Sequence, residues 1–216
     1  MSPTARTTAQ RYPERVTYDR DDAYAILDEA LVAHVGFTTP DGPVVVPVLH
    51  VREGDRLLLH GSIHGRFIQT VTTGVPICVT VTQVDGLILG RAASHHSAAY
   101  RSVMIFGTAT AVEDPQERAD ALGRIVEGII PGRLSGPHAA RRPNVEEAGY
   151  TAVLWLPIEE FSIKTRAGFA RDESKDDAVE AWAGHIPLEL TAGTPVPDAI
   201  TGTRFPAPDI ATLRPL

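Results

Sequence analysis

Residues 93–103 carry the densest set of chemically capable side chains in the chain, between the apolar runs 87–89 and 103–106. Paired imidazoles, several hydroxyls and a guanidinium can hydrogen-bond, hold a phosphate or move a proton. Loops held by rigid strands often carry function, so we predict a binding site here. The alternative is a polar hairpin loop whose histidines face water. The candidate residues are His95, His96, Ser97, Tyr100, Arg101 and Ser102.

A second polar segment, residues 61–66, follows a predicted strand and opens a predicted helix that ends near Gly74. A helix N-terminus presents unpaired N–H groups and partial positive charge, so Ser62, His64 and Arg66 would suit a phosphate there. The spacing matches neither a P-loop nor a dinucleotide-binding glycine motif. A capped helix without a ligand therefore stays open as the alternative.

Bulk properties limit the classes of function. A chain of 216 residues can bury a full core as one domain. The net charge of −7, without a Lys/Arg-rich block, disfavours nucleic acid or an anionic membrane as partner. The single cysteine, Cys78, lies in an apolar run, which predicts a buried thiol and either a reducing compartment or indifference to redox conditions. With no long apolar span and a polar N-terminus, a cytoplasmic protein is expected.

The order of predicted elements favours a mostly antiparallel barrel with appended helices, because hairpin-like strands dominate over βαβ alternation. Helical spacing and capping residues predict helices over about 21–31 and 115–130. We expect a mobile arm over 1–16, one domain over 17–190 and an extended tail over 191–216. The predicted strands are 34–38, 44–51, 56–60, 76–83, 87–91 (after a turn at 84–86), 103–112, 151–156 and 160–165.

Five groups of residues follow one another along the chain: Tyr18–Arg20 with Ile26 and Leu27; His34–Phe37; Leu59–Ser62 with Arg66; Ser94–Val103 with Phe106–Gly107; and Trp182–Leu188. In this order they resemble the pyridoxamine 5′-phosphate oxidase-like flavoproteins, and within them the branch that contains nitroimidazole-resistance proteins. The resemblance covers roughly residues 10–190. It implies a mainly β (α+β) fold, an antiparallel split β-barrel of FMN-binding type with two to four appended helices. It also implies a homodimer with FMN at the subunit interface.

With that resemblance, the polar segments acquire expected roles around FMN. Ser62, His64 and Arg66 would clamp its phosphate. Val79, Thr80 and Val81 would supply a wall and backbone donors for the flavin ring. The other expected cofactor-binding residues are His60, His95, Ser97, Arg101, Ser102 and Trp182.

Two of these expectations have plain structural alternatives. Trp182 could close the site from the other subunit, or it could be a core anchor. A lone strand histidine such as His60 could equally be a satisfied barrel residue.

The expected reaction follows from the same resemblance. The arginine-rich C-terminal segment of the oxidases proper is not recognisable, so pyridoxamine phosphate is not the expected substrate. We expect reduction of a nitro-aromatic or related electron-poor molecule with electrons from NAD(P)H, although no nicotinamide motif is visible. His96 is the expected proton donor, with Tyr100 as the second catalytic candidate.

Two other classes of function stay open. The first is a non-catalytic flavin- or haem-binding protein with His95 or His96 as axial ligand. The second is a zinc protein that combines these histidines with His60 or His64. Zinc is disfavoured, because adjacent histidines on a strand point apart and no cysteine is close in sequence. No metal site is therefore predicted.

Overall fold

The computed structural model describes residues 3–202 and 204–209, in which ten strands form one sheet and four α-helices pack on it. The strands are β1 Val16–Thr17, β2 Val32–Thr39, β3 Gly42–Glu53, β4 Arg56–Ser62, β5 Ile77–Leu89, β6 Ser97–Gly107, β7 Thr110–Ala111, β8 Thr151–Pro157, β9 Glu160–Arg166 and β10 Gly184–Pro187. The helices are α1 Arg20–Glu29, α2 Arg66–Val71, α3 Pro115–Ile129 and α4 Val145–Ala148.

The strands run β1-β9-β6-β5-β2-β3-β4-β8-β7 across the sheet, with β10 added to β5. Every pair among them is antiparallel. Strand β5 pairs with β2 over residues 78–80 and with β10 over residues 86–89, so it changes partner along one edge. The predicted antiparallel split β-barrel with two to four helices is confirmed.

The core follows from side-chain alternation along the strands. Apolar residues at every second position of β2, for example Val35 and Phe37, face the barrel interior, where α1 also packs. On β4, Leu57 and Leu59 face this interior, whereas Leu58 enters a second cluster beneath α3. Because both faces of β4 are buried, its sequence is a continuous apolar run.

The two long helices begin where the capping residues predict. The carboxylate of Asp19 accepts hydrogen bonds from the backbone N–H groups of Asp21 and Asp22 at the start of α1. Asp114 accepts from Glu117 N–H at the start of α3, and Pro115 occupies its first turn. These caps fix two helix starts that the sequence predicts to within a residue or two.

The predicted turn at residues 84–86 is wrong, because β5 continues through it with a register shift between Val84 and Gly86. A bulge and a tight turn favour the same residues, Asp and Gly, so sequence does not separate them. Gly86 is required by packing, since a Cβ there would lie 2.0 Å from Nε2 of His185.

Two other expectations need correction. Residues 97–102, predicted as loop, belong to strand β6. Cys78, predicted to be buried, is half-buried on β5, and this burial raises the pKa of its thiol.

Both predicted terminal segments are described in part. In the predicted arm, Thr7 is 5% exposed, its carbonyl accepts from the Tyr18 hydroxyl at 3.0 Å, and Arg6 pairs with Glu160. Met1 and Ser2 lie outside the described residues, as do Thr203 and residues 210–216 of the predicted tail. The described residues of 191–209 form no helix or strand. Nowhere in the described part of the chain is a helix both long and apolar enough to cross a bilayer.

Candidate functional site: a groove between β3 and β4

A groove of about 300 Å³ lies between β3 and the connection from β4 to α2. We call it the β3–β4 groove. Its lining is apolar along β3 and on α2, and polar at one end. The lining residues are Val46, Pro47, Val48, Leu49, His60, Gly61, Ser62, Gly65, Phe67 and Ile68.

The groove exists because β3 and β4 separate. They pair only from His50 to Glu53, whereas the first part of β3 pairs with β2 alone. The unpaired edge of β3 therefore faces an opening, which tolerates Pro47 because no ladder donor is needed there. Phe67 and Ile68 of α2 close the opposite side, and Gly61 permits their approach, since a Cβ there would lie 3.1 Å from Ile68.

His60 is the ionisable residue inside the groove. Its side chain is half-buried, and its Nδ1 is buried with no hydrogen-bond partner in the described part of the protein. Burial lowers the pKa of His60 below its ordinary value of 6.5. The imidazole is therefore neutral at neutral pH, the form that accepts a hydrogen bond or ligates a metal.

The polar end of the groove is built from the β4–α2 connection. Helix α2 begins at Arg66, so Ser62 and His64 precede the helix and do not form its first turn as predicted. The Ser62 hydroxyl accepts from the backbone N–H of His64 at 3.3 Å. Within residues 3–202 and 204–209 the exposed guanidinium of Arg66 has no hydrogen-bond or ion-pair partner. Arg66 is not a lining residue, but it follows Gly65, which lines this end, so its charge is carried next to the groove.

The segment between β5 and β6, residues 90–96, carries His95 and His96, and we call it the central loop. Its histidines, by contrast, already have partners. Nδ1 of His95 lies 3.1 Å from Oδ1 of Asp172, and Nδ1 of His96 lies 3.2 Å from the carbonyl oxygen of Ala92. Asp172 also accepts the backbone N–H of Arg91 at 2.8 Å, a bond that holds the pKa of this carboxyl below its ordinary value. These contacts tie the loop to residues 172–176.

The candidates on β6 are also engaged in internal contacts. The Arg101 guanidinium pairs with Asp85 at 2.8 Å and with Glu29, and the Asp85 contact raises its pKa above its ordinary range. The Ser102 hydroxyl donates to the carbonyl of Val81 at 2.9 Å. Ser97 and Tyr100 are half-buried on the same strand.

The predicted flavin wall on β5 presents a mixed surface. Val79 and Val81 are fully buried in the core, and only Thr80 between them points to the opposite face. Trp182 is 63% exposed and packs over Gly184, where a Cβ would lie 2.7 Å from the indole. Within one chain, Trp182 is therefore not a core anchor, which is consistent with a contact to another molecule.

Of the predicted site residues, the groove brings together His60 and Ser62, whereas His64 and Arg66 are neighbours in sequence of the lining residue Gly65 and lie outside the lining. The other candidates lie outside its lining in the single chain. Sequence reasoning missed Val46, Val48, Leu49, Phe67 and Ile68, which look like ordinary core positions. The usable signal was Pro47, because proline inside a strand marks an unpaired edge.

The family follows from comparison with known proteins. The model of the family described as "Pyridoxamine 5′-phosphate oxidase" matches residues 19–165, more than half of the chain. The chain therefore belongs to the pyridoxamine 5′-phosphate oxidase family, as its motifs predict. No curated protein matches the chain.

Two solved structures resemble almost the whole chain. The flavocytochrome Anf3 from Azotobacter vinelandii is 36% identical with a TM-score of 0.90, covering 99% of this chain and 98% of its own. The FAD and heme binding protein from Mycobacterium smegmatis is 29% identical with a TM-score of 0.83, covering 93% of this chain and 98% of its own.

A third structure shares the fold alone. This protein from Bacteroides thetaiotaomicron, provisionally described as a 5-nitroimidazole antibiotic resistance protein, is 24% identical with a TM-score of 0.57. The alignment covers 69% of this chain and 85% of that one.

Proposed function

We propose that the protein is a flavin-dependent oxidoreductase whose flavin lies in the β3–β4 groove. The observation that best supports this proposal is the 36% identity, over 99% of the chain, with a protein named as a flavocytochrome. Because that likeness includes the terminal segments as well as the barrel, it supports a shared cofactor arrangement and not only a shared fold.

The groove fits the two parts common to FMN and FAD. The side chains of Val46, Val48 and Phe67 offer an apolar surface to a flat ring system. Ser62 at the polar end and the unpartnered Arg66, which follows the lining residue Gly65, suit a phosphate, because a guanidinium forms charge-assisted hydrogen bonds with its oxygens. When bound, a flavin supplies hydride or single-electron transfer. FMN is the smaller of these two cofactors, and we propose it as the ligand of the groove.

A second cofactor, haem, is supported by a separate observation. Of the two similar proteins described above, one is named as a flavocytochrome and the other as an FAD and heme binding protein. A haem iron binds one nitrogen of an imidazole, while the other ring nitrogen usually keeps a hydrogen bond to a carboxylate or a carbonyl. His95, a candidate from sequence, fits this arrangement, because its Nδ1 faces the Asp172 carboxylate and leaves Nε2 for the iron. We therefore propose His95 as the axial ligand, outside the groove proposed for the flavin.

A homodimer is proposed from surfaces that a single chain leaves exposed. Val45, 64% exposed, and Leu49 stand on β3 beside the groove, and Trp182 projects from the segment before β10. Large apolar side chains grouped on strand faces favour a contact between copies. In such a dimer, Trp182 of one copy would cover the flavin of the other.

The proposed reaction passes electrons from NAD(P)H through the flavin to a small electron-poor acceptor such as a nitro-aromatic compound. His96 is retained as the proposed proton donor, with Tyr100 second, because an imidazole can both hold and release a proton. Exchanging His96 for Ala should then lower turnover by more than it lowers flavin binding, with His95→Ala as the neighbouring control.

The deciding measurement is the ultraviolet–visible spectrum of the purified protein, followed by chromatography of the released cofactor. Flavin bands that bleach anaerobically on addition of NAD(P)H support the oxidoreductase. A Soret band supports haem, and the released flavin distinguishes FMN from FAD. Protein that neither retains nor takes up a flavin would contradict the proposal.

A further inference from the structure

A second polar cavity of about 250 Å³ lies where the N-terminal segment crosses the end of β9. Three guanidinium groups line it, from Arg15, Arg166 and Arg171, and we call it the arginine pocket. Its other lining residues are Glu14, Thr165, Ala167 and Phe169. It shares no lining residue with the β3–β4 groove, so it is not part of the site described above.

Strand pairing brings these distant residues together. Val16 on β1 pairs with Lys164 on β9, so Arg15, one residue before β1, lies beside Thr165 and Arg166. The approach to this position is strained, because Tyr12 has a φ of 58° although it is not glycine. Arg15 stacks on the Tyr12 ring with its guanidinium carbon 4.1 Å from the centroid. Backbone strain held in place by such contacts is typical of functional sites.

The charges of the arginine pocket are unbalanced. Three positive groups face one carboxylate, Glu14, on a chain whose net charge is −7. In the part of the chain that the structure describes, none of the three guanidinium groups has an ion-pair partner. The Nε of Arg166 is buried there without a hydrogen-bond acceptor. A buried donor left unpaired is costly, so the pocket favours a ligand that brings acceptor oxygens.

We propose that the arginine pocket binds the phosphate group of a phosphorylated small molecule. Guanidinium groups match the spacing of phosphate oxygens and remain charged at every physiological pH. The hydroxyl of Thr165 adds a further donor to the same cavity. Phe169, 72% exposed at the rim, offers a flat ring face on which a nucleotide base can stack. Free phosphate and a nucleotide monophosphate share this chemistry.

Calorimetric titration of the full chain, with its cofactor bound, tests the site. The ligands are inorganic phosphate, adenosine 5′-monophosphate and adenosine. We expect both phosphates to bind and adenosine not to bind. Arg166→Gln and Arg171→Gln should each weaken phosphate binding about tenfold, since each removes a charge-assisted contact. Lys164→Gln removes a positive charge from the same strand outside the pocket and should change nothing.

The Phe169→Ala variant distinguishes the two sources of phosphate. If the ligand is a nucleotide, this variant should lose the extra affinity of adenosine monophosphate and keep that of phosphate. If inorganic phosphate and adenosine monophosphate bind with equal affinity to the original protein and to the Phe169→Ala variant, the ligand is free phosphate. Absence of saturable phosphate binding, or equal losses in the Arg171→Gln and Lys164→Gln proteins, overturns the proposal. Arg171 is exposed, so its variant does not depend on tolerance of a core change.

Discussion

Two regions of the molecule carry histidines beside hydroxyls and an arginine, and they differ in what the fold leaves free. In the β3–β4 groove, Nδ1 of His60 has no partner within the described chain, and Arg66, next to the lining residue Gly65, is unpaired there. In the central loop, His95 is bonded to Asp172, and on the adjoining strand Arg101 pairs with Asp85. The density of polar residues along a sequence therefore does not indicate which of them can bind a ligand.

The difference arises from long-range partners. Asp172 is far from the loop in sequence, yet its carboxylate accepts two backbone N–H groups and faces the imidazole of His95. The loop thus uses its polar groups to hold its own conformation. The groove has no such acid in its lining. Four experiments test this contrast.

The largest effect is expected at His95. His95→Ala should abolish the haem Soret band, because it removes the proposed iron ligand, while flavin absorbance is retained. His138→Ala is the control, since this exposed histidine lies in neither region. Absorbance spectra of both proteins after addition of haem provide the measurement. A Soret band of normal intensity in the His95 variant would transfer the ligand role to His96 or to His60.

The second effect concerns Arg66. Arg66→Gln should weaken flavin binding by roughly ten- to a hundredfold, because it removes a charge-assisted contact of about 1.5–3 kcal/mol. Fluorescence titration of the cofactor-free protein with FMN measures it. Arg142→Gln is the control, as this exposed arginine lies elsewhere on the surface. Unchanged affinity would place the phosphate at another residue.

A third experiment addresses the central loop. Asp172→Asn should lower the melting temperature by about 2–4 °C, as expected for a modest loss of stability in a chain of this size, with little change in flavin affinity. The reason is that the carboxylate accepts the backbone N–H of Arg91 and faces His95. Asp177→Asn, at an exposed position nearby, is the control. A loss of flavin without a loss of stability would show that the loop contacts the cofactor.

The smallest effect is a pH dependence. Because burial lowers the pKa of His60 below 6.5, the unfolded chain binds its proton more readily than the folded protein does. The contribution of the neutral His60 side chain to the free energy of unfolding is therefore present above pH 6.5, and it is lost as the pH falls below that value. Thermal melts of the cofactor-free protein should therefore decline more steeply below pH 6.5 than those of His60→Gln. Parallel curves would show that the imidazole is hydrated.

Much of the fold was predictable because its determinants are local. The caps at Asp19 and Asp114 and the alternating residues of the strands identify the elements, and the motifs identify the family. The groove was not predictable in the same way. The groove depends on the position, His50, at which the pairing between β3 and β4 ends. That position is set by the register in which β3 pairs with β2. Likewise, no local signal connects His95 to Asp172.

The addition of β10 to β5 has a consequence for how the molecule assembles. Residues 184–187 form β10, which pairs with the end of β5, a strand that is synthesised about a hundred residues earlier. Until they emerge, the end of β5 near Leu87 and Leu89 presents unpaired backbone groups, a surface on which partly folded chains associate. Such non-local pairing slows folding. A nascent chain of this protein therefore passes through a period of aggregation risk that ends only when its last strand is in place.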